Sequence, residues 1–132
     1  MKNKLFPLIL VMLITACSSA SALTPETLTN EMKEKGHRIK SISNPAPIEL
    51  NGELPSTYQV IKDIYCFYQF ENNDEVEKAK GEFEDLMSTG DMALKMNFYT
   101  VDNIVILHQY VNDNGAEKGA EIIEMLQKNH TE

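Results

Sequence analysis

The chain has 132 residues, 42% of them hydrophobic and 24% charged, which is enough for one domain and hardly for two. Twenty acidic residues against twelve basic ones leave a net charge of −8, a balance that repels nucleic acid and anionic headgroups and argues against both as ligands. Two cysteines are too few for a disulfide framework.

The first segment stands apart in composition. Lys2 and Lys4 precede an apolar run over residues 5–14, broken only by Pro7, and small residues follow. Basic, apolar, then small is the order of a secretory signal, and the run is too short to cross a ~30 Å hydrocarbon layer. Two processing sites are present. Ala20-Ser21-Ala22 fits an ordinary signal-peptidase site, and Ile14-Thr15-Ala16-Cys17 ends the apolar run itself. The second resembles the lipobox of bacterial lipoproteins: an aliphatic residue, a small polar one, Ala, then Cys. That resemblance, which covers about the first nineteen residues, implies a diacylglycerol thioether on Cys17, cleavage before it, and N-acylation of the new terminus. Two acyl chains anchor stably where one does so only reversibly.

The expected domains are thus a signal peptide over residues 1–16, an acylated Cys17 with a tether over 17–23, and one folded domain over 24–132. Processing removes Lys2 and Lys4 but none of the twenty acids, for a net charge near −10. Cys66 is left without an intrachain partner, so it is a buried thiol or pairs between molecules.

Thr24-Pro25-Glu26 reads as a helix start, with Leu28 and Met32 on one face and Gly36 as the stop. Residues 37–42 are a strand candidate for an edge position. The stretch 44–56 holds Pro45, Pro47 and Pro55 and an Asn51-Gly52 turn, and reads as a surface excursion with a short hairpin. Tyr58 to Ile61 is a further strand before a turn at Lys62-Asp63. Residues 64–70, IYCFYQF, are apolar on both faces and predict a central strand.

The period then becomes helical. Asp74 with Glu77 reads as a capping box, and Val76, Ala79, Phe83 and Leu86 form one stripe. A hairpin turns at Asp102-Asn103. A closing helix starts at Asn114 with Glu117, with Ala120, Ile123 and Leu126 inward and Ala116 and Gly119 permitting close approach to the sheet. No internal repeat is apparent. The expected fold is α+β, a small antiparallel or mixed sheet with helices on one face. Its core is a ferredoxin-like split βαβ, with residues 104–111 beside and parallel to 64–70, plus an N-terminal helix and strand.

Function classes are thinly marked. His37, His108 and His130 share no ligand spacing, and no nucleophile elbow, phosphate loop or HExxH occurs, so no catalytic residue and no cofactor is assigned. Glu71 and Asp74 end the central strand, but helix capping accounts for Asp74. Met87, Met92, Met96 and His108 are the weak alternative for a soft metal such as copper. Tyr65, Phe67 and Tyr99 would form an aromatic partner-binding surface if the second face of the sheet were uncovered. The expectation is a non-catalytic lipoprotein outside the cytoplasm, held in the cell membrane or outer membrane by its diacylglycerol and N-acyl (palmitate-type) lipid. It would bind an envelope protein, polymer or small ligand, with a metal-handling protein or a small enzyme as alternatives. The domain also resembles, loosely, exported lipoproteins with a strand, helix, hairpin, helix plan, a resemblance that brings no activity with it.

Overall fold

A computed structural model describes residues 23–89 and 95–130. Helix α1 (Pro25–Glu34) starts where the side chain of Thr24 accepts the Thr27 amide, with Pro25 in its first turn. It stops at Gly36, whose φ of 99° lets the His37 and Gly36 amides turn back onto the Met32 and Lys33 carbonyls. Strand β1 (Lys40–Ser41) is a short edge element, shorter than the 37–42 expected, with Ile39 packed against the core and the Ile42 amide still bonded to the Thr57 carbonyl. Asn51 and Gly52, at φ 48° and 80°, close the Leu50–Glu53 bridge as a primed turn.

Strands β2 (Ser56–Val60) and β3 (Asp63–Gln69) form one hairpin, followed by α2 (Asn73–Ser88). Strands β4 (Met96–Val101) and β5 (Ile104–Gln109) form a second, followed by α3 (Asp113–Asn129). The sheet order is β1-β2-β3-β5-β4 and every pair is antiparallel. The split βαβ is present, with one correction: β5 lies beside β3 but runs antiparallel to it, pairing Tyr65 with His108 and Tyr68 with Val105. The crossover through α2 makes β4 the strand parallel to β3, and the tight hairpin then folds β5 back into the gap.

Helices lie on both faces, not one. Leu28 and Met32 of α1 and Ile122, Ile123 and Leu126 of α3 pack on Tyr65, Phe67, Ile104 and Ile106. Val76, Ala79 and Phe83 of α2, with Leu50 of the proline-rich excursion, pack on Cys66, Tyr68, Val105 and Leu107. The excursion is fastened there by the Tyr68 hydroxyl donating to the Ile48 carbonyl (2.6 Å) and the Asn51 amide donating to Glu82 (2.7 Å). On the other face His130 and Asn129, ending α3, both reach the Glu31 carboxylate of α1, at 2.6 and 3.1 Å.

A repeat is also present, where none was expected. Two ββα units follow one another, and a shift of forty residues (Asn72 to Asn112) superimposes identical residues at Ile64/Ile104, Gln69/Gln109, Glu77/Glu117, Lys78/Lys118 and Leu86/Leu126. Those two asparagines are the N-caps, accepting the Glu75 and Gly115 amides at 3.0 and 2.8 Å, so both helices begin earlier than Asp74 and Asn114 suggest. Asn72 and Glu75 offer the same spacing as Asp74 and Glu77, which makes the signal ambiguous. The hairpin turns, Ile61-Lys62 and Asp102-Asn103, differ by forty-one residues instead. The second unit is therefore one residue shorter between turn and cap. Because side chains alternate, a change of one residue swaps faces. Phe70 and Tyr110, each two residues before its cap, point to opposite sides, and each helix follows them.

Candidate binding cleft

The β2–β3 turn is chemically odd. Ile61 sits at φ 59°, a region that suits Gly, Asn or Asp and strains a β-branched residue, yet its side chain is 80% exposed. Its carbonyl accepts from the Gln59 side-chain amide at 3.0 Å. Next to it Asp63 opens β3 and points across the sheet. Oδ2 lies 2.8 Å from Nε2 of His108, and Oδ1 accepts the Val111 amide at 3.4 Å, where the chain enters α3. Since a carboxylate only accepts, Nε2 carries the shared proton. His108 is fully buried and stacks on Tyr65, with ring centroids 4.4 Å apart. Its Nδ1 has no partner among the described residues.

Two glycines of α3 make room for this pair. A Cβ on Gly115 would stand 2.7 Å from Oδ2 of Asp63, and one on Gly119 would overlap the His108 ring. The glycines are one helical turn apart, so they form one groove in the helix surface into which the carboxylate and imidazole fit.

Beside the pair opens a cavity of about 260 Å³. Val60, Ile61, Tyr65, Val111 and Ile122 give it an apolar wall, while His37, Lys62 and Lys118 stand on it together with Asp63. A second cavity of about 270 Å³ continues it, sharing His37, Lys118 and Ile122 and adding Lys35, Glu121 and Met125. The described residues hold ion pairs only at His108–Asp63 and His130–Glu31, so Lys35, Lys62 and Lys118 face the cleft without a carboxylate partner. Asp63 is committed to His108 and the Val111 amide. Three free cations on an apolar wall, in an acidic chain, give the cleft a local sign opposite to that of the whole.

The other candidates drawn from the sequence are dispersed. Cys17 and Met92 lie outside the described residues. Tyr65 and Phe67 are 2% and 1% exposed beneath α1 and α3, and Tyr99 is half-buried against the same core, so the expected aromatic surface is covered. Met87 and Met96 belong to the face under α2, with the sheet between them and His108, so these three do not assemble a soft-metal site. Cys66 is a buried thiol whose pKa is pushed up by burial, an effect opposed by the hydrogen bond from Thr57. Glu71 and Asp74 are exposed at the opposite end of the sheet from the cleft. Asp63, Lys62 and Lys118 do not stand out in the sequence because each looks like a solvated charge in its own segment. The available signal is Ile61, a residue the turn does not want. Comparison of the chain with known protein families, curated proteins and solved structures gives no match.

Proposed function

We propose that this chain is an envelope lipoprotein, tethered through Cys17, whose domain is a non-catalytic module that binds a small ligand in the cleft between the β2–β3 turn and α3. The observation that carries the reading is the cleft, an apolar cavity with a few convergent polar groups at its rim. The carboxylate at the cleft's head, Asp63, is already bonded twice, and the imidazole behind it is shielded from the cavity. That is the reverse of a catalytic dyad, where the histidine faces the substrate and the acid stands behind. No helix among the described residues is long and apolar enough to cross a membrane.

Leu23 and the cleft sit at opposite ends of β3. Gln69, its last residue, donates to the Leu23 carbonyl, where the chain enters the fold, while Asp63, its first, lines the cleft. Six steps along a strand separate them by about 20 Å. A protein held by Cys17 presents its cleft away from the membrane that anchors it.

Two measurements test this. Mass spectrometry of the natural protein should find a diacylglyceryl group and an N-acyl chain on Cys17, and Cys17→Ser should move the protein to the aqueous fraction. A natural polypeptide beginning at Leu23 would overturn the anchor. Native mass spectrometry of Cys17→Ser protein isolated from cells should show a retained small molecule that is lost in Val111→Trp, whose indole would fill the cleft mouth. Equal spectra for the two would overturn the cleft.

A further inference from the structure

We infer that the ligand of this cleft is a single-chain amphipathic anion, with a carboxylate or similar monoanionic head between Lys62 and Lys118 and an alkyl tail along Ile61, Val111 and Ile122. The inference rests on the binding-cleft reading and names the ligand class. Three observations narrow the chemistry. The cations are unpaired, so an anionic head gains partners without breaking any. Of the amides around the start of α3, Val111 is taken by Asp63 and Gly115 by Asn112, which leaves fewer of them for a compact anion. The wall beneath is apolar, and two of its members, Ile61 and Val111, are 80% and 55% exposed without a ligand, large apolar side chains left in water beside an apolar cavity.

Size points the same way. The two cavities share His37, Lys118 and Ile122, and neither alone exceeds about 270 Å³, which suits a slender alkyl chain better than a bulky ring system. Glu121 stands in the far cavity, beyond Lys118, where it disfavours a second anionic group on the tail. The occupant is the free amphiphile in solution and not a headgroup in a bilayer, because the chain's net charge of −8 opposes approach to an anionic surface.

The test uses the Cys17→Ser chain, which keeps every residue of the fold and carries no acyl group. Calorimetry with hexanoate, octanoate and decanoate should show affinity rising about fourfold per methylene until the cleft is full, the factor expected for burying each CH₂. Octanol and octyltrimethylammonium should bind at least about fivefold more weakly than octanoate. Lys62→Gln with Lys118→Gln should lower octanoate affinity about fivefold, an effect the size of two exposed charge contacts, and leave octanol unchanged. Octanol binding as tightly as octanoate would overturn the anion assignment while the cleft reading stood. No binding of any probe would overturn the amphiphile assignment, while the cleft itself stands or falls with the Val111→Trp comparison. Sedimentation with dioleoylphosphatidylglycerol vesicles without octanoate binding would overturn the assignment to a free ligand.

Discussion

Tyr68 and His108 stand at the same place in the two ββα units, four residues before the N-cap asparagine and facing the helix that follows. Tyr68 shares a closed apolar core with Ala79 of α2, and its hydroxyl reaches outward to a loop carbonyl. His108 lies over Gly119, the residue equivalent to Ala79, and reaches sideways to Asp63 of the other unit. The first junction is a packed apolar interface. The second gives up a methyl group and packs a polar pair instead, and the cleft opens beside it. Duplicated plans diverge here by a few positions: alanine against glycine, tyrosine against histidine, and a turn of Asp-Asn against one of Ile-Lys.

The largest predicted asymmetry is with pH. In β3, burial raises the pKa of the Tyr65 hydroxyl, with the Asp63 and Tyr99 charges adding to it. Burial also raises that of Tyr68, and that of the Cys66 thiol. The equivalent positions in β5 are Val105, Ile106 and His108, none of which ionises to an anion in that range. Groups held protonated in the fold lose nothing below their ordinary values, 9.0 for the thiol and 10.0 for the phenols. Above those values the unfolded chain releases protons that the folded chain keeps, so stability falls as pH rises, at about 1.4 kcal/mol per unit for each group. By pH 11 the two phenols alone account for a loss of roughly 3 kcal/mol, to which the thiol adds. Urea unfolding at pH 8, 9.5 and 11 reads it directly. Tyr65→Phe with Tyr68→Phe should remove the phenols' share of the fall, and an unchanged slope in that variant would assign alkaline lability elsewhere.

The glycines give the next contrast. Gly81 lies on α2 with open space where a Cβ would go, so Gly81→Ala should stabilise by about 1 kcal/mol through helix propensity alone. The same change at Gly119 would drive a methyl group into the His108 ring. It should destabilise by about 2 kcal/mol despite the propensity gain, since overpacking a closed interface costs more than a helix gains. Thermal unfolding of the two single variants separates them by sign. Gains at both positions would mean that α3 can lift off the sheet freely, and that the Asp63–His108 pair holds little in place.

Much of this frame is legible in the residue pattern, and what the pattern misses has a common cause. Strand and helix placement follows from the switch between period two and period 3.6, so β3, both hairpins and all three helices are readable, as is the burial of Cys66 among aromatic neighbours. Asn72-Asn73-Asp74 offers several capping residues in a row, so the cap is easily placed two residues late. The direction of β5 and the face taken by α3 depend on how hairpins fold back and on one residue's difference in a connection, relations between segments that no local pattern carries. The cleft is hidden for the same reason. Asp63 and His108 are forty-five residues apart, and Lys62 and Lys118 further, and each is ordinary until the sheet brings them together.

The smallest effect is the sharpest test of why the halves differ. Asp102 holds φ 55° in a turn that suits it, while Ile61 holds φ 59° against its own preference. Ile61→Asn should therefore stabilise the domain by about 1 kcal/mol, the scale of the left-handed penalty for a residue with a branched Cβ, and Asp102→Ile should destabilise it by a similar amount. Chemical denaturation of both variants checks the pair. A residue that costs stability and exposes a large apolar side chain at a cavity mouth is retained for some other reason, and strain of this kind collects where a protein binds. If Ile61 supplies the wall for an alkyl tail, Ile61→Asn will gain stability and lose octanoate affinity together, by about tenfold for an aliphatic side chain's share of buried surface. Asp102→Ile, at the far end of the sheet, will lose stability and leave the affinity where it was.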